Sequence, residues 1–482
     1  MPNQDDKFAR LSRRSAEGQT IQATVDVVIR PDQQGSQSAA AILESAQDGQ
    51  AIRISAGTYR FDKPVKISRS VTLVGDSKGT TRFISTVPGE CFSIEGQVRC
   101  SVKGISFEHE GDTVGTVFHV KAEMAEFRNC SFSGARRISE EDENGGGLVI
   151  SGRTEVSCDE CEATRNENIG FVFSDDARAV VSSCTADGNG SAGFLVNGRC
   201  AATLRNNRAT RNENGIGYFG NSSGDASSNE CTDNTNAGLN IGENASPSLT
   251  SNVLKRNKAG LLYGQQTAGL AVRNICSENL VGGIQVKDQA HPVLNENRCE
   301  KNANHGIAIG DNAYGSVRSN VCNNNETFGI VVMDEAHPIV EGNTCSNNGE
   351  IGIGYKGRAT GICRGNKCDG HLANIHVVEN ANPQLEDEGG SPISASAASG
   401  NTNSQSGDCF VVTATYGTPF APEVQRFRRY RDSVLLKNVA GRLFIRTYYV
   451  IGPKLAGIIR RVPLLRRASA KMLGRLAVYL PD

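Results

Sequence analysis

Residues 274–279 read Asn-Ile-Cys-Ser-Glu-Asn, and the phrase they form, Asn-x-Cys-x-x-Asn, returns along the chain. It begins at Asn229, Asn274, Asn297, Asn320 and Asn343, and it places Cys231, Cys276, Cys299, Cys322 and Cys345 at its centre. The last four of these cysteines lie 23 residues apart, and Cys368 adds one more step. A period sustained in this way is typical of a repeat protein, in which each unit stacks on the next.

Glycines repeat in phase with this phrase, and each is followed by Leu, Phe or Ile. The glycine column comprises Gly147, Gly170, Gly193, Gly215, Gly238, Gly260, Gly283, Gly306, Gly329 and Gly352. Apolar residues alternate after each glycine, as Ile284 and Val286 do, and a period of two is typical of a strand. Ala-x-Pro phrases such as Ala290-His-Pro292 then mark a turn into a second short strand.

A unit of this length is too short for two packed helices but holds three short strands joined by turns. The sequence therefore predicts an all-β fold, a parallel β-helix solenoid with 22–23-residue coils. Stacking in register should align Asn274, Asn297, Asn320 and Asn343 in a hydrogen-bonded column. It should also align Cys276, Cys299, Cys322 and Cys345 as small buried residues with reduced thiols, since stacked cysteines have poor geometry for disulfides and for tetrahedral zinc.

The asparagine column, the Gly-Ile strand and the Ala-x-Pro strand resemble those of the right-handed parallel β-helix repeat proteins of the pectate-lyase-like fold. The resemblance covers about residues 30–390. It implies a right-handed solenoid. That group includes polysaccharide lyases, hydrolases and epimerases, and also noncatalytic recognition modules.

Composition divides the chain into four parts. Residues 1–30 form a polar N-terminal tail, and residues 31–390 form the β-helix, with residues 36–46 predicted as an amphipathic helix that caps its first coil. Residues 391–408 have the composition of a flexible linker. Residues 409–482 contain 14 Lys or Arg and three acidic residues, whereas the remainder contains 37 basic and 49 acidic residues. Opposite charge in the two parts indicates two modules.

The final module is predicted to be small, basic and α-helical. Its opening phrase, Cys409-Phe-Val-Val-Thr-Ala-Thr-Tyr-Gly417, resembles the C-terminal CFI box, a segment that ends assorted bacterial proteins, and this implies a bacterial source. Three roles stay open for residues 409–482: docking or homo-oligomerisation, binding to an anionic membrane surface, and nucleic-acid binding, which is the least favoured. Every apolar run there is interrupted by Arg, Lys or Pro, which argues against a membrane span.

Residues 1–20 carry no apolar core of a secretory signal. Together with the reduced thiols, this predicts a cytoplasmic protein, at most peripheral on the membrane. An acidic run, Glu140-Glu-Asp-Glu143, lies in an insertion between Cys130 and Cys161 and is predicted to be a solvated loop.

The candidate site lies just before the second strand. Asp288, Asp311 and Asp334 are 23 residues apart and should form an acidic column, and His291, Tyr314 and His337 follow them by three residues. Such groups can bind a ligand, recruit calcium or act as general acid and base, or they can simply occupy a solvated turn. The histidine and tyrosine rings can donate hydrogen bonds to a sugar or stack on it. No cofactor or resident metal is otherwise predicted.

The outward positions of the first strand should be flat and neutral. They include Gln285, Ala308 and Val331, and they offer no basic residue to abstract a proton or to clamp a uronate carboxylate. The favoured function is therefore a noncatalytic scaffold that binds an extended polysaccharide or protein along its side and is localised or oligomerised by the basic tail. The alternative is a polysaccharide-modifying enzyme, a lyase, glycoside hydrolase or uronan epimerase, that uses the stacked aspartates. Whether the chain is an enzyme stays open at this point.

Overall fold

The computed structural model describes residues 27–32, 38–137, 145–371 and 373–387, together with Arg426, Phe427, Tyr430, Arg431, Ser469 and Leu473. The chain divides into two compact units, Met1–Gly400 and Asn401–Asp482. The predicted linker, the CFI-box phrase and nearly all of the predicted helical module lie outside the described residues. The acidic run of the insertion lies outside them as well.

The first unit is a parallel β-helix, which confirms the predicted fold. In each regular coil a first, a second and a third strand follow one another. The first strands are Gly146–Ile150, Ile169–Phe173, Ala192–Val196, Asn214–Tyr218, Ala237–Ile241, Ala259–Tyr263, Gly282–Val286, His305–Ile309, Phe328–Val332, Ile351–Tyr355 and Ala373–Val377. The second strands are Glu155–Asp159, Arg178–Ser182, Ala201–Arg205, Ser223–Ser227, Ser246–Thr250, Leu270–Val272, Val293–Asn295, Ser316–Arg318, Ile339–Glu341, Ile362–Arg364 and Gln384–Glu386.

The third strands form a separate 14-stranded sheet. They are Gly57–Phe61, Thr81–Ser85, Ser106–His109, Ser131–Ser133, Glu162–Thr164, Thr185–Asp187, Arg208–Thr210, Glu230–Thr232, Val253–Lys255, Ile275–Ser277, Arg298–Glu300, Val321–Asn323, Thr344–Ser346 and Lys367–Asp369. Every strand pairs in parallel with its counterpart one coil away. Cys276 pairs with Cys299, and Cys299 pairs with Cys322, so columns in the sequence are columns in the molecule.

Alternate side chains of each strand fill the interior. Cys276, Cys299, Cys322 and Cys345 form one fully buried row of free thiols, and among the described cysteines Cys368 alone is partly exposed. Toward the N-terminus the same column passes through Leu254, Cys231 and three alanines and then reaches aromatic rings, of which Phe132 and Phe107 are stacked 5.7 Å apart. The glycine column has no room for a side chain, since a Cβ at Gly306 would lie 2.6 Å from the carbonyl oxygen of Gly329.

Two ladders of asparagines, all of them buried except the half-buried Asn366, tie the coils together. The first runs through Asn207, Asn229, Asn252, Asn274, Asn297, Asn320, Asn343 and Asn366, and the second through Asn166, Asn189, Asn212, Asn234, Asn257, Asn279, Asn302, Asn325 and Asn348. In each rung the side-chain amide donates to the side-chain oxygen one coil on, and that oxygen also accepts a backbone N–H. The buried turns are thereby satisfied without water.

His371 takes the asparagine position in the last rung of the second ladder. Its Nδ1 accepts the backbone N–H of Asn348 at 3.1 Å, and its Nε2 donates to the carbonyl oxygen of Cys345 at 2.8 Å. The two ring nitrogens thus take the places of the amide oxygen and the amide nitrogen.

The N-terminal coils are less regular. Helix α1, Ala39–Glu44, is capped by Ser38, whose Oγ accepts the N–H of Ala41, and it buries Ala39 and Leu43 against the first coils. The remaining strands are Val27–Ile29, Gln50–Ile54, Val65–Ile67, Val71–Gly75, Gly89–Lys103 and Gly115–Arg128. Each of the last two strands continues through the corner that separates the first and second strands of a regular coil. These two long strands pair with each other in parallel, with one irregularity in register.

Candidate functional site

The predicted aspartates lie in the turn that joins the first strand to the second. Asp288, Asp311 and Asp334, here called the carboxylate row, all have left-handed backbone conformations, with φ of 58°, 52° and 60°. Asp311 accepts the backbone N–H of Asp288 at 3.0 Å, and Asp334 accepts that of Asp311 at 3.1 Å. One oxygen of each carboxylate therefore accepts a hydrogen bond from the backbone of the preceding coil.

Other coils repeat this arrangement with other acidic residues. Asp175 accepts the N–H of Gly152 at 2.8 Å, and Glu379 accepts that of Gly357 at 2.7 Å. A charged acceptor makes such a bond stronger than a neutral one does. The recurrence indicates that the acidic side chain at this turn stabilises the stacking of neighbouring coils through one carboxylate oxygen. The second oxygen is not needed for that contact.

Three aromatic rings stack beside the carboxylate row. His291 and Tyr314 lie parallel with ring centroids 4.7 Å apart, and Tyr314 and His337 follow at 5.4 Å. This ring ladder covers both faces of Tyr314 with imidazole, although the residue is 41% exposed. The rim of Tyr314, and not its face, is therefore open to a ligand. Stacking needs an uncovered ring face, so a sugar cannot stack on Tyr314 while both imidazoles cover it. Sugar binding by the ring ladder through hydrogen bonds stays a prediction.

An aliphatic column runs next to the ring ladder on the same face of the second strands. It consists of Leu270, Val293, Ile339 and Ile362, interrupted by Ser316. Leu270 and Val293 pair directly and are 39% and 41% exposed. His291 precedes the strand Val293–Asn295 by two residues, so the ring ladder borders the aliphatic column where the second strands begin.

The third column of this face carries alternating charge. Arg318 contacts Glu341 at 3.1 Å, Glu341 contacts Arg364 at 2.9 Å, and Arg364 contacts Glu386 at 3.6 Å. The hydrogen bond from Arg364 holds the pKa of the Glu341 carboxyl below its usual range. The outer face of the second strands thus presents rings, aliphatic groups and ion pairs in parallel rows.

The outer face of the first strands is not the open surface that the sequence predicts. Gln285 and Ala308 are only 8% exposed and Val331 is 2% exposed. Large side chains lie across the small ones, since a Cβ at Gly354 would be 3.0 Å from the ring of Phe328. The sequence pattern predicts a binding face on the first strands, whereas in the structure the exposed face belongs to the second strands.

His305 belongs to this buried face. Its ring lies across the backbone of Gly282, where a Cβ would come within 2.2 Å of Nε2. Burial and the nearby charge of Lys287 lower the pKa of His305 to about 4. The imidazole is neutral at neutral pH and acts as packing.

Calcium at the carboxylate row stays a prediction. Within the described ranges no group of three or more His, Cys, Asp or Glu side chains is arranged to hold a metal ion. Also, no helix among these residues is long and apolar enough to cross a membrane.

Three residues that sequence reasoning missed meet on the N-terminal coils. Nδ1 of His119 lies 2.6 Å from Oε1 of Glu90, and Nε2 lies 2.7 Å from Oγ of Ser151. They are 29 and 32 residues apart, where two irregular coils meet the first regular one and no period relates one position to the next. No spacing signal could have joined them.

Comparison with known proteins agrees with the architecture. The family model described as "Right handed beta helix region" matches residues 90–254 and 237–388. No curated protein matches the chain significantly in sequence.

Solved structures of similar fold include enzymes that act on polysaccharides. The pectate lyase Pel9A is 17% identical with a TM-score of 0.45, over 57% of this chain and 80% of that one. The A-module of the mannuronan C-5 epimerase AlgE4 from Azotobacter vinelandii is 14% identical with a TM-score of 0.40, over 70% and 91%. The catalytic domain of a GH87 α-1,3-glucanase is 11% identical with a TM-score of 0.43, over 76% and 68%. These likenesses are distant and concern the fold alone.

Proposed function

The chain belongs to the right-handed β-helix family, and on that premise we propose that it is a scaffold that binds an extended polymer along its axis. The polymer lies over the outer face of the second strands, across the ring ladder and the aliphatic column. The observation that carries the proposal is the exposure of Tyr314, Val293 and Leu270 in adjacent rows of that face. Exposed aromatic and aliphatic groups in contiguous rows mark interaction surfaces.

The repeat of the coils suits a repeating ligand. Successive strands of a sheet lie about 4.8 Å apart, so each coil offers the same type of group after the same step. A polymer that is extended along the axis contacts several coils at once, as ligands of solenoid proteins do. The rim of Tyr314 supplies a hydroxyl, and the imidazoles supply ring nitrogens as donors or acceptors.

The carboxylate row favours binding without chemistry at this face. Each aspartate is held to the coil below through Oδ2. A general acid or base must reach the reacting atom, whereas a side chain that clamps two coils has little freedom to move toward it. The row also repels a polyanion, so a neutral polysaccharide or a polypeptide suits the face better than a polyuronate.

The basic tail supplies localisation in this proposal. Its 14 basic and three acidic residues suit an anionic membrane surface or a second copy of the acidic part of the chain. Removal of residues 409–482 should leave polymer binding intact while it changes sedimentation with anionic vesicles or the oligomeric state. Unchanged localisation and assembly after truncation would remove the tail from the proposal.

Arrays of neutral glycans and of peptides test the binding face directly. Combined replacement His291→Ala, Tyr314→Ala and His337→Ala should abolish binding that the wild type shows. Ser246→Ala is the matched control, because Ser246 occupies the same column two coils before His291. Equal binding by the triple variant and the control would refute the proposed face.

The enzymatic alternative is separated by a turnover assay on uronate polymers. Asp311→Asn keeps an acceptor for the N–H of Asp288 and removes only the charge, so loss of turnover would not reflect a broken coil. Turnover by the wild type that is lost in this variant would replace the binding scaffold with a polysaccharide-modifying enzyme.

A further inference from the structure

We propose that Glu90, His119 and Ser151 form a nucleophilic relay that hydrolyses acyl esters. His119 bridges the other two, with Nδ1 2.6 Å from the Glu90 carboxylate and Nε2 2.7 Å from the Ser151 hydroxyl. Nucleophile, base and orienting carboxylate in this sequence of contacts are the arrangement that activates a serine. The site is separate from the proposed polymer-binding face, and the activity goes beyond that proposed function.

Protonation follows from the partners of the imidazole. An ionised carboxylate only accepts hydrogen bonds, so the Nδ1 that faces Glu90 carries a proton. Nε2 is then the lone-pair nitrogen, and the Ser151 hydroxyl donates to it. This is the tautomer that a general base requires.

Rigid elements hold all three side chains. Glu90 lies in Gly89–Lys103 and His119 in Gly115–Arg128, while Ser151 directly follows Gly146–Ile150. The backbone N–H of Ser151 donates to the carbonyl oxygen of Val120, which joins the nucleophile to the strand that carries the base. Groups on paired strands, or directly beside one, keep their geometry better than groups within long loops do.

The relay is open to solvent. The His119 side chain is 20% exposed and that of Glu90 is 45% exposed. A serine hydroxyl at an accessible surface can meet a substrate without a conformational change. The exposure of Glu90 and the half-buried position of Ser151 suit a short acyl group carried on a large alcohol, such as an O-acetylated polymer.

The reaction balances with water as the only co-reactant. Oγ of Ser151 attacks the ester carbonyl carbon while its proton passes to Nε2 of His119. The C–O bond then breaks, the leaving alcohol takes that proton, and an acyl group remains on Ser151. Water next gives a proton to Nε2 and attacks the acyl-serine, and the carboxylic acid leaves as Oγ regains its proton.

Lys121 is the group that we assign to the developing oxyanion. The backbone N–H of Ser151 donates to the carbonyl oxygen of Val120, and the backbone N–H of Gly152 donates to the carboxylate of Asp175 at 2.8 Å. Both donors are therefore already used. The Lys121 side chain lies over Gly152, with its Cγ 3.3 Å from the position of an added Cβ. A mobile ammonium stabilises charge less well than preorganised backbone donors, so turnover should be slow.

The full chain can be tested with a fluorophosphonate probe and with p-nitrophenyl acetate. The probe should modify Ser151, as identified by peptide mass spectrometry, and hydrolysis should fall about 100- to 10,000-fold in Ser151→Ala and in His119→Ala. Ser157→Ala is the control, since Ser157 lies on the second strand of the same coil and hydrolysis should not change.

Glu90 is a positioning residue, and its variant needs its own readout. Glu90→Gln should lower kcat with KM unchanged and should shift the pH profile of hydrolysis, which a purely structural role would not do. Melting curves that match the wild type exclude misfolding. An unmodified Ser151, or hydrolysis retained in Ser151→Ala, would overturn the relay without bearing on polymer binding.

Discussion

Replacement of one buried rung, Asn297→Ala, should destabilise the solenoid severely. The Asn297 side chain donates to the carbonyl oxygen of Ala271 at 2.8 Å. Its oxygen accepts the backbone N–H of Asn274 at 3.0 Å and the side-chain amide of Asn274 at 2.9 Å. Alanine leaves these three buried groups without this partner. The bond from the Asn297 amide to Oδ1 of Asn320 is lost as well, but that oxygen still accepts the backbone N–H of residue 297.

The magnitude follows from those three losses. A buried polar group that loses its partner costs about 1–3 kcal/mol. The side-chain amide of Asn274 keeps its bond to Leu249 at 2.9 Å, so its loss lies at the low end. The free energy of unfolding should therefore fall by about 4 kcal/mol.

Urea unfolding and hydrogen exchange measure this effect. Contacts in a solenoid are between neighbouring coils, so protection should be lost first around residues 271–320 rather than uniformly. Asn295→Ala is the control: its amide donates at 3.2 Å to exposed Glu296, and its removal should cost no more than about 0.5 kcal/mol. Equal destabilisation by the two variants would refute the assignment of stability to the ladder.

Three further predictions concern the packing. The pKa of His305 is about 4 in the folded protein and about 6.5 in the unfolded chain, so stability present above pH 6.5 should be lost as the pH falls. The loss should reach about 2 kcal/mol at pH 5. Urea midpoints at pH 7 and pH 5 should show this loss in the wild type and not in His305→Leu. Gly306→Ala should cost about 3 kcal/mol by overpacking, whereas Gly79→Ala, with its nearest atom 3.8 Å away, should be tolerated in thermal melts. Among the described cysteines, Cys368 should be alkylated first in the native protein, and equal labelling of Cys322 would contradict the buried row.

Periodicity in the sequence was enough to predict the regular coils. Cys276 and Cys299 lie in successive copies of the repeated phrase. The constant step between copies gives each cysteine the same position in its coil, and the two therefore lie in one row. Helix α1 was also predicted from its amphipathic pattern, within the span 36–46. The long strands Gly89–Lys103 and Gly115–Arg128 were not predicted, since no repeat with a fixed step runs through them.

The candidate site shows where pattern reasoning ends. A pattern gives the direction of a side chain from its strand, but not what neighbouring coils lay across it. Val331 points outward and is nevertheless buried. The contact of His119 with Ser151 depends on how an irregular coil stacks on the first regular coil, and only the structure reveals it.

The in-register glycine and asparagine columns make the coils interchangeable. Removal of residues 300–322 would join Cys299 to Asn323 and leave the step of 23 residues unbroken, so that the shortened chain presents the same partners at the seam. The extent of the molecule is thus a quantity that genetic duplication or deletion can change one whole turn at a time. The length of such a protein can change to match the length of its ligand while the packing of the interior stays the same.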